Sequence, residues 1–385
     1  RCLLAQEYNE YKWANAAAAA RDVMELPGIN YGHRYVLHTV KKRDEAAAGY
    51  PKTLPPYSDK DFENADWPNG YRDIDPFESY RQVFNGALSM FDNPELIFSR
   101  GQNQGDRNLA DMVLHQLPTS ANGWNTHGMT QKMCDAYYMY DGSEFNRQTF
   151  LDTCQVGNRF VTKKEGEAGT YPHLKKGVWK EYAWREPRFY ASLSFDRGTW
   201  YGDGYTNDEP ANLAFYHFRA KEVSGRQTSE DHSYTGYLNK KVCSYKTGLT
   251  KDGFSPYRYS FPIIRLADLY LMYAEALNEI SYSNLQNSEA LVALNAVHTR
   301  AGLSPILITE LPDQDSFRSA IMLERQQEFP YGGQRWFDLV RMGGAKEAMK
   351  AEGHIIQDYQ FLYPIPKTEL ERINNTELLW QNTGY

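Results

Sequence analysis

The sequence has no CxxC pair. Its four cysteines, Cys2, Cys134, Cys154 and Cys243, lie far apart, which removes the zinc knuckle and the dithiol redox motif and leaves either free thiols or one disulfide. There is also no HExxH helix, no EF-hand loop and no GxxxxGKS or GxGxxG phosphate loop, so no metal or other cofactor is expected. Basic charge is not in excess: 42 Lys and Arg face 49 Asp and Glu, a net charge of −7, which disfavours nucleic acid or an anionic membrane as partner. No apolar run approaches the roughly 18 residues of a membrane-spanning helix. The opening residues do not read as a signal peptide, and Cys2 is not expected to carry a lipid, since no apolar segment stands before it in this sequence. Scattered histidines such as His33, His38 and His115 are expected to be surface or hydrogen-bonded residues rather than ligands.

What is abundant is aromatic. Rings make up 14% of the residues, with 29 Tyr and 8 Trp, more than a core alone requires, and surface rings suit sugar faces as well as protein interfaces. Residues 1–26 read as a helical hairpin, with Leu3, Leu4, Tyr8 and Tyr11 in the first helix and Trp13, Ala16, Ala17, Ala20, Val23 and Met24 in the second. A similar unit spans 263–302, where Ile263, Leu266, Tyr270, Tyr273, Leu277 and Ile280 form a stripe and Ser288 can cap a second helix ending at Gly302. Between the hairpins, 58–77 and 99–128 are rich in Gly, Pro, Asn and Asp, the residues of turns. The run "RFYASLSF" alternates like a strand, but no βαβ pattern emerges. The expectation is a mainly α chain, 1–385 as a single domain. A helical scaffold at 1–26 and 263–385 carries a loop-rich, ligand-facing region at 27–262 with a few short strands.

The densest stretch of charge and rings together is "FRSAIMLERQQEFPYGGQRWFDLVRMG", 317–343. Glu324 and Glu328 share a helical face, as an acid/base pair of a glycoside hydrolase would. Three arginines, Arg325, Arg335 and Arg341, balance Glu324, Glu328 and Asp338 in this stretch, which favours ion pairing over catalysis. Asp338 is expected to pair with Arg335 and Arg341, and the stretch to clamp two helices about the Pro330–Gly333 turn.

The segments "RLADLYLMYAEALNE" (265–279), "ALNAVHTRAGL" (293–303), "LERQQEFPYGGQRWFDLVRMG" (323–343) and "YPIPKTELERINN" (363–375) resemble, in order, the C-terminal half of the SusD/RagB family of outer-membrane nutrient-binding lipoproteins of Bacteroidetes. "NPELIFSR" (93–100), "YYMYDG" (137–142) and "REPRFYASLSFD" (185–196) resemble its middle region. The resemblance implies a tetratricopeptide-like α-α superhelix and a non-catalytic protein at the cell surface. Such a protein captures oligosaccharides, or in some members peptides, and passes them to a SusC-like TonB-dependent transporter barrel in the outer membrane. It further implies that an export signal, a lipid-bearing cysteine and the first helical pairs lie upstream.

Sugar recognition needs a flat apolar ring bordered by planar polar groups. The loop after "ELIF" offers Asp106, Arg107, Asn108, Asn122, Trp124 and Asn125, with Trp124 as platform. Trp67 and Tyr71 in "ADWPNGYRD", and Trp200, Tyr201 and Tyr205 in "DRGTWYGDGY", are the other candidate rings.

Overall fold

The structure is a computed structural model that describes residues 10–28, 32–42, 59–101, 108–154, 156–171, 174–201, 213–244, 246–250, 253–255, 257–282, 284–373 and 379–385. Two compact units form, Glu10–Tyr331 and a smaller one containing Gly332–Tyr385. The helices of the larger unit are α1 (Glu10–Met24), α2 (Lys60–Asn64), α3 (Pro76–Arg81), α4 (Asn108–Gln116), α5 (Gln131–Asp135), α6 (Arg147–Thr153), α7 (Lys163–Glu167), α8 (Pro187–Ser192), α9 (Leu266–Ile280), α10 (Asn284–Arg300) and α11 (Gln314–Glu328). The smaller unit holds α12 (Gln334–Arg341), α13 (Ala345–Ala351) and α14 (Lys367–Ile373). Strands pair only in antiparallel twos among the described residues: β1 (Leu96–Arg100) with β8 (Phe261–Arg265), β2 (Leu193–Ser194) with β5 (Leu238–Asn239), β3 (Thr199–Tyr201) with β4 (Leu213–Phe215), and β6 (Gly248–Thr250) with β7 (Gly253–Ser255). The protein is mainly helical.

Helix α9 is the axis of the scaffold and packs against α1, α10 and α11. Its buried face, Leu271, Ala274 and Leu277, meets Leu294 and Val297 of α10 and Phe317 and Ile321 of α11. Ala17 and Ala20 are the buried side chains of α1 in this cluster, and their small size lets the helix axes approach closely. Three boundaries differ from expectation. Helix α1 starts at Glu10 and includes Tyr11, so the break before Trp13 is absent; Leu3, Leu4 and Tyr8 lie outside the described residues. Ile263 belongs to β8, because the backbone there is paired with β1 and α9 begins only at Leu266. Ser288 sits one turn inside α10 rather than at its cap. Just after α10, Gly302 takes φ 85°, and a Cβ there would lie 2.9 Å from Pro76 Cγ, so both backbone and space demand glycine.

The middle region contains little regular structure and is held by aromatic packing. Tyr80, Tyr137, Tyr182, Phe189, Tyr190 and Phe195 share one core, with Tyr182 and Phe195 stacked at 4.3 Å. Many of the rings are therefore internal, while others, Phe91, Trp124 and Tyr331 among them, stand exposed. "RFYAS" is not a strand: Pro187 opens a helix at its first turn, α8 follows, and only Leu193 and Ser194 pair as β2.

In the smaller unit, Asp338 accepts from Arg341 Nε at 3.0 Å and Nη2 at 2.8 Å. Burial lowers the pKa of Arg335, and the charge of Asp338 partly restores it. Trp336 stacks on Phe361 at 6.1 Å, and the Gln381 amide closes a two-bond bracket on the Ile365 backbone.

The carboxylates Glu324 and Glu328 end in a fully buried ionic network, but their partners come from other segments. Glu328 accepts from Arg265 Nη1 at 2.6 Å, Arg300 Nη2 at 2.5 Å and Arg188 Nη1 at 3.3 Å. Arg188 also donates to Glu324 at 2.5 Å, Glu186 at 2.6 Å and Gln327 at 2.9 Å. Glu95 accepts from both Arg300, at 2.6 Å, and Arg265, at 3.2 Å. Arg325, within the stretch, turns instead to Asp268 at 3.1 Å. Burial alone would raise the Glu328 pKa, yet Arg300, Arg265 and Arg188 overcome it and bring it down to about 2. Glu324 is lowered too, against burial, by Arg188 and His298; Glu186 is raised by burial.

A folded pKa below the unfolded one means stabilisation complete above pH about 4.5 and lost as the carboxylate protonates toward about 2, some 3 kcal/mol from Glu328 alone. Glu186 contributes in the opposite sense and offsets part of it. Urea unfolding at successive pH values is expected to show a steep loss of stability over that window; a flat profile would contradict the network. Near neutral pH, Glu328→Ala is expected to cost about 3–5 kcal/mol by leaving three guanidinium groups underpaired.

Candidate functional site

The loop that carries Trp124 is built from the frayed end of α4. The last carbonyls of a helix lack intrahelical partners, and here the returning loop supplies them: Trp124 N donates to Leu114 O at 2.8 Å, Thr126 N and His127 N both to His115 O at 2.9 Å, and Asn125 N to Leu117 O at 3.0 Å. Gly123 lies so close to α4 that a Cβ would fall 2.1 Å from Leu117 O. Asn122 takes a left-handed φ of 59°, which Asn tolerates, and its side chain is exposed. Asn125 is fully buried, with its amide donating to Trp124 O and Asp231 O and accepting from Thr119 Oγ1 at 3.0 Å. It shapes the loop and is not available to a ligand, a correction to its assignment as a binding residue.

Trp124 stands 45% exposed on this rigid loop. Its ring meets His115 edge to face at 4.8 Å, and His115 stacks on His127 at 5.1 Å with 19° between planes. His127 in turn lies 6.4 Å from Tyr331, at 27°. His115 Nδ1 is fixed by Thr126 Oγ1 at 2.6 Å, and desolvation, then the neighbouring His115, lowers the His127 pKa. Sequence reasoning did not single out His127 or Tyr331; the hint was a tyrosine before two glycines at a break between helices.

The other candidate rings are elsewhere. Trp200 is a core residue, 1% exposed, donating from Nε1 to Ser194 Oγ at 2.9 Å, so it offers no face to a ligand. Val113, Leu117, Ala121, Tyr216 and Leu238 share its buried cluster and exclude water, and the loop position suggested by "GTWYG" does not exist: Thr199–Tyr201 is β3. Tyr201 is placed only by its backbone, paired with Leu213, and Asn108 only as the first residue of α4. Trp67 and Tyr71 are half-buried in a separate loop, where Trp67 N donates to Asp73 Oδ1 at 2.8 Å and Tyr71 packs on Phe62 at 5.3 Å. Asp106, Arg107 and Tyr205 lie outside the described residues.

The carboxylate pair has no route to catalysis. Glu324 and Glu328 are buried, hydrogen-bonded and both lowered in pKa, whereas a general acid must hold its proton near neutral pH. Among the described residues no group of three or more His, Cys, Asp or Glu could hold a metal ion. Cys134, Cys154 and Cys243 are free thiols. No described helix is long and apolar enough to cross a membrane.

The sequence profile of the SusD family matches residues 94–385, from just before β1 to the last residue of the chain. The chain belongs to the SusD family. SusD-like protein P2 of Formosa agariphila is 34% identical over 132 residues, 32% of this chain and 25% of that protein. A SusD-like protein of Bacteroides fragilis has a similar solved structure, with TM-score 0.59 at 23% identity over 83% of this chain and 60% of that one. BT4246, in its selenomethionine form, reaches TM-score 0.68 at 19% identity over 98% of this chain and 65% of that one. At those identities the likeness establishes a SusD-like fold. This chain thus spans about a quarter of the curated relative and less than two thirds of the solved ones. The SusD family comprises binding proteins rather than enzymes, in accord with the neutralised carboxylates.

The two tryptophans separate cleanly by experiment. Trp200→Ala is expected to cost about 3–5 kcal/mol in chemical unfolding, and Trp124→Ala less than about 1 kcal/mol. Equal losses would mean that Trp124 is a packing residue.

Proposed function

We propose that this SusD-family chain is the ligand-binding part of a cell-surface protein of the outer membrane that captures oligosaccharides and delivers them to a SusC-like TonB-dependent transporter. The observation that carries the reading is the half-exposed Trp124 ring held on a loop whose backbone is tied to α4, while the candidate ring Trp200 is spent on the core. A sugar presents its C–H face to such a ring and its hydroxyls to planar amides, of which exposed Asn122 is the adjacent example. Rigidity matters because ordering a loop on binding would subtract from the affinity. Handing the ligand on favours modest affinity, which a single platform with few polar contacts provides. Capture does not need the buried carboxylates, which serve only to hold the frame.

Isothermal titration against a panel of α- and β-glucans, mannans, xylans and galactans tests the reading. At least one polysaccharide is expected to bind, with Trp124→Ala weakening it about tenfold or more, or roughly 1.4 kcal/mol. No binding to any sugar, with capture from a peptide library instead, would replace the glycan reading by the peptide-binding one.

A further inference from the structure

We infer that Tyr331 is a second ligand-contacting ring, joined to Trp124 through the stacked imidazoles of His115 and His127, and that the spacing of the two exposed rings makes the site respond to the length of a bound saccharide chain. The inference rests on the glycan reading and goes beyond it in naming residues and the property they read.

The four rings form one continuous series, with steps of 4.8, 5.1 and 6.4 Å between centroids. The ends of the series are the most open, Trp124 at 45% and Tyr331 at 43% exposure, while His115 and His127 between them are half-buried. The faces of the two imidazoles are turned to one another and to Tyr331, so they act as spacers. His115 is locked by Thr126, and His127 Nδ1 is buried without a hydrogen-bond partner. Tyr331 offers its ring rather than its hydroxyl. The hydroxyl donates to Gly128 O, one residue beyond His127, and burial holds the phenol up to about 12. That bond ties the Tyr331 turn to the loop carrying Trp124.

Backbone geometry points to the same two ends. Asn122 and Asn125 flank Trp124 with φ of 59° and 39°, and Tyr331 itself has φ 57°, a conformation that a residue with a Cβ rarely adopts. Such geometry is kept where surrounding contacts over-determine it, and at Tyr331 it turns the side chain toward His127 instead of following the helix. The groups that hold the rings, a threonine hydroxyl and a backbone carbonyl, are neutral. A neutral polyhydroxyl chain, stacking one sugar on each end ring, matches the surface better than a charged ligand.

The test is isothermal titration with defined oligosaccharides, from disaccharide to octasaccharide, cut from the tightest-binding glycan of the panel. Wild-type affinity is expected to rise with length and then level off once both rings are spanned. Tyr331→Asn, which keeps a residue suited to left-handed backbone, is expected to lose about tenfold on the long oligosaccharides and less than about twofold on the disaccharide. Tyr331→Phe keeps the ring and is expected to keep the length gain. His127→Leu, which removes the spacer ring, is expected to flatten the length dependence without abolishing disaccharide binding. If Tyr331→Asn folds and binds every length as wild type does while Trp124→Ala is weakened, the second ring is overturned and the glycan reading stands. If the wild type binds no saccharide of any length, both fall.

Discussion

The Glu328 carboxylate is the point on which the larger unit converges. Guanidinium groups from α8, from the junction of β8 and α9, and from the end of α10 all reach it, and Arg300 and Arg265 continue to Glu95 beside β1. Its own backbone carbonyl is as crowded, accepting from Lys241 at 2.8 Å, Arg265 at 3.0 Å and Tyr80 at 3.1 Å. Segments more than two hundred residues apart are thereby tied to one residue. Such a cluster is stable only when complete: buried charges without partners cost several kcal/mol each, while a matched set adds little over an apolar core. The gain is in geometry, since planar guanidinium forks fix the relative placement of the elements they bridge.

That placement reaches the proposed binding surface through a short path. Glu328 ends α11, Phe329 packs under Arg265 and Arg325, and Tyr331 follows two residues later with its hydroxyl on Gly128 O. On the other side, α4 fixes the Trp124 loop through its terminal carbonyls. Trp124 and Tyr331 are therefore both tied to backbone carbonyls of the larger unit, so that the surface proposed to bind a ligand is already formed. Burial and ion pairing of its charges explain how one motif can be dense in ionisable groups and still perform no chemistry.

The sequence made part of this legible. Charge balance in 317–343 argued for pairing, and helical periodicity located α9, α10 and α11, because both signals are local. The partners of Glu324 and Glu328 were not legible: Arg188, Arg265 and Arg300 lie in segments recognised one by one, but nothing local says that they meet. For the same reason Trp200 and Trp124 look alike as Trp within two residues of Gly in the sequence, and only burial separates a core ring from a surface one. Asn125 was misjudged because an amide suited to a sugar hydroxyl is equally suited to closing a loop. Tyr331 was hidden by its motif, whose charges drew attention from the ring between them.

The most direct test of the central claim uses Glu324→Gln, which removes a buried charge with almost no change of shape, and reads unfolding stability and glycan binding on the same protein. The account predicts a clear loss of stability, a glycan affinity within about twofold of wild type, and no glycan cleavage by either form. Stability left intact while glycan binding or cleavage disappears would contradict it.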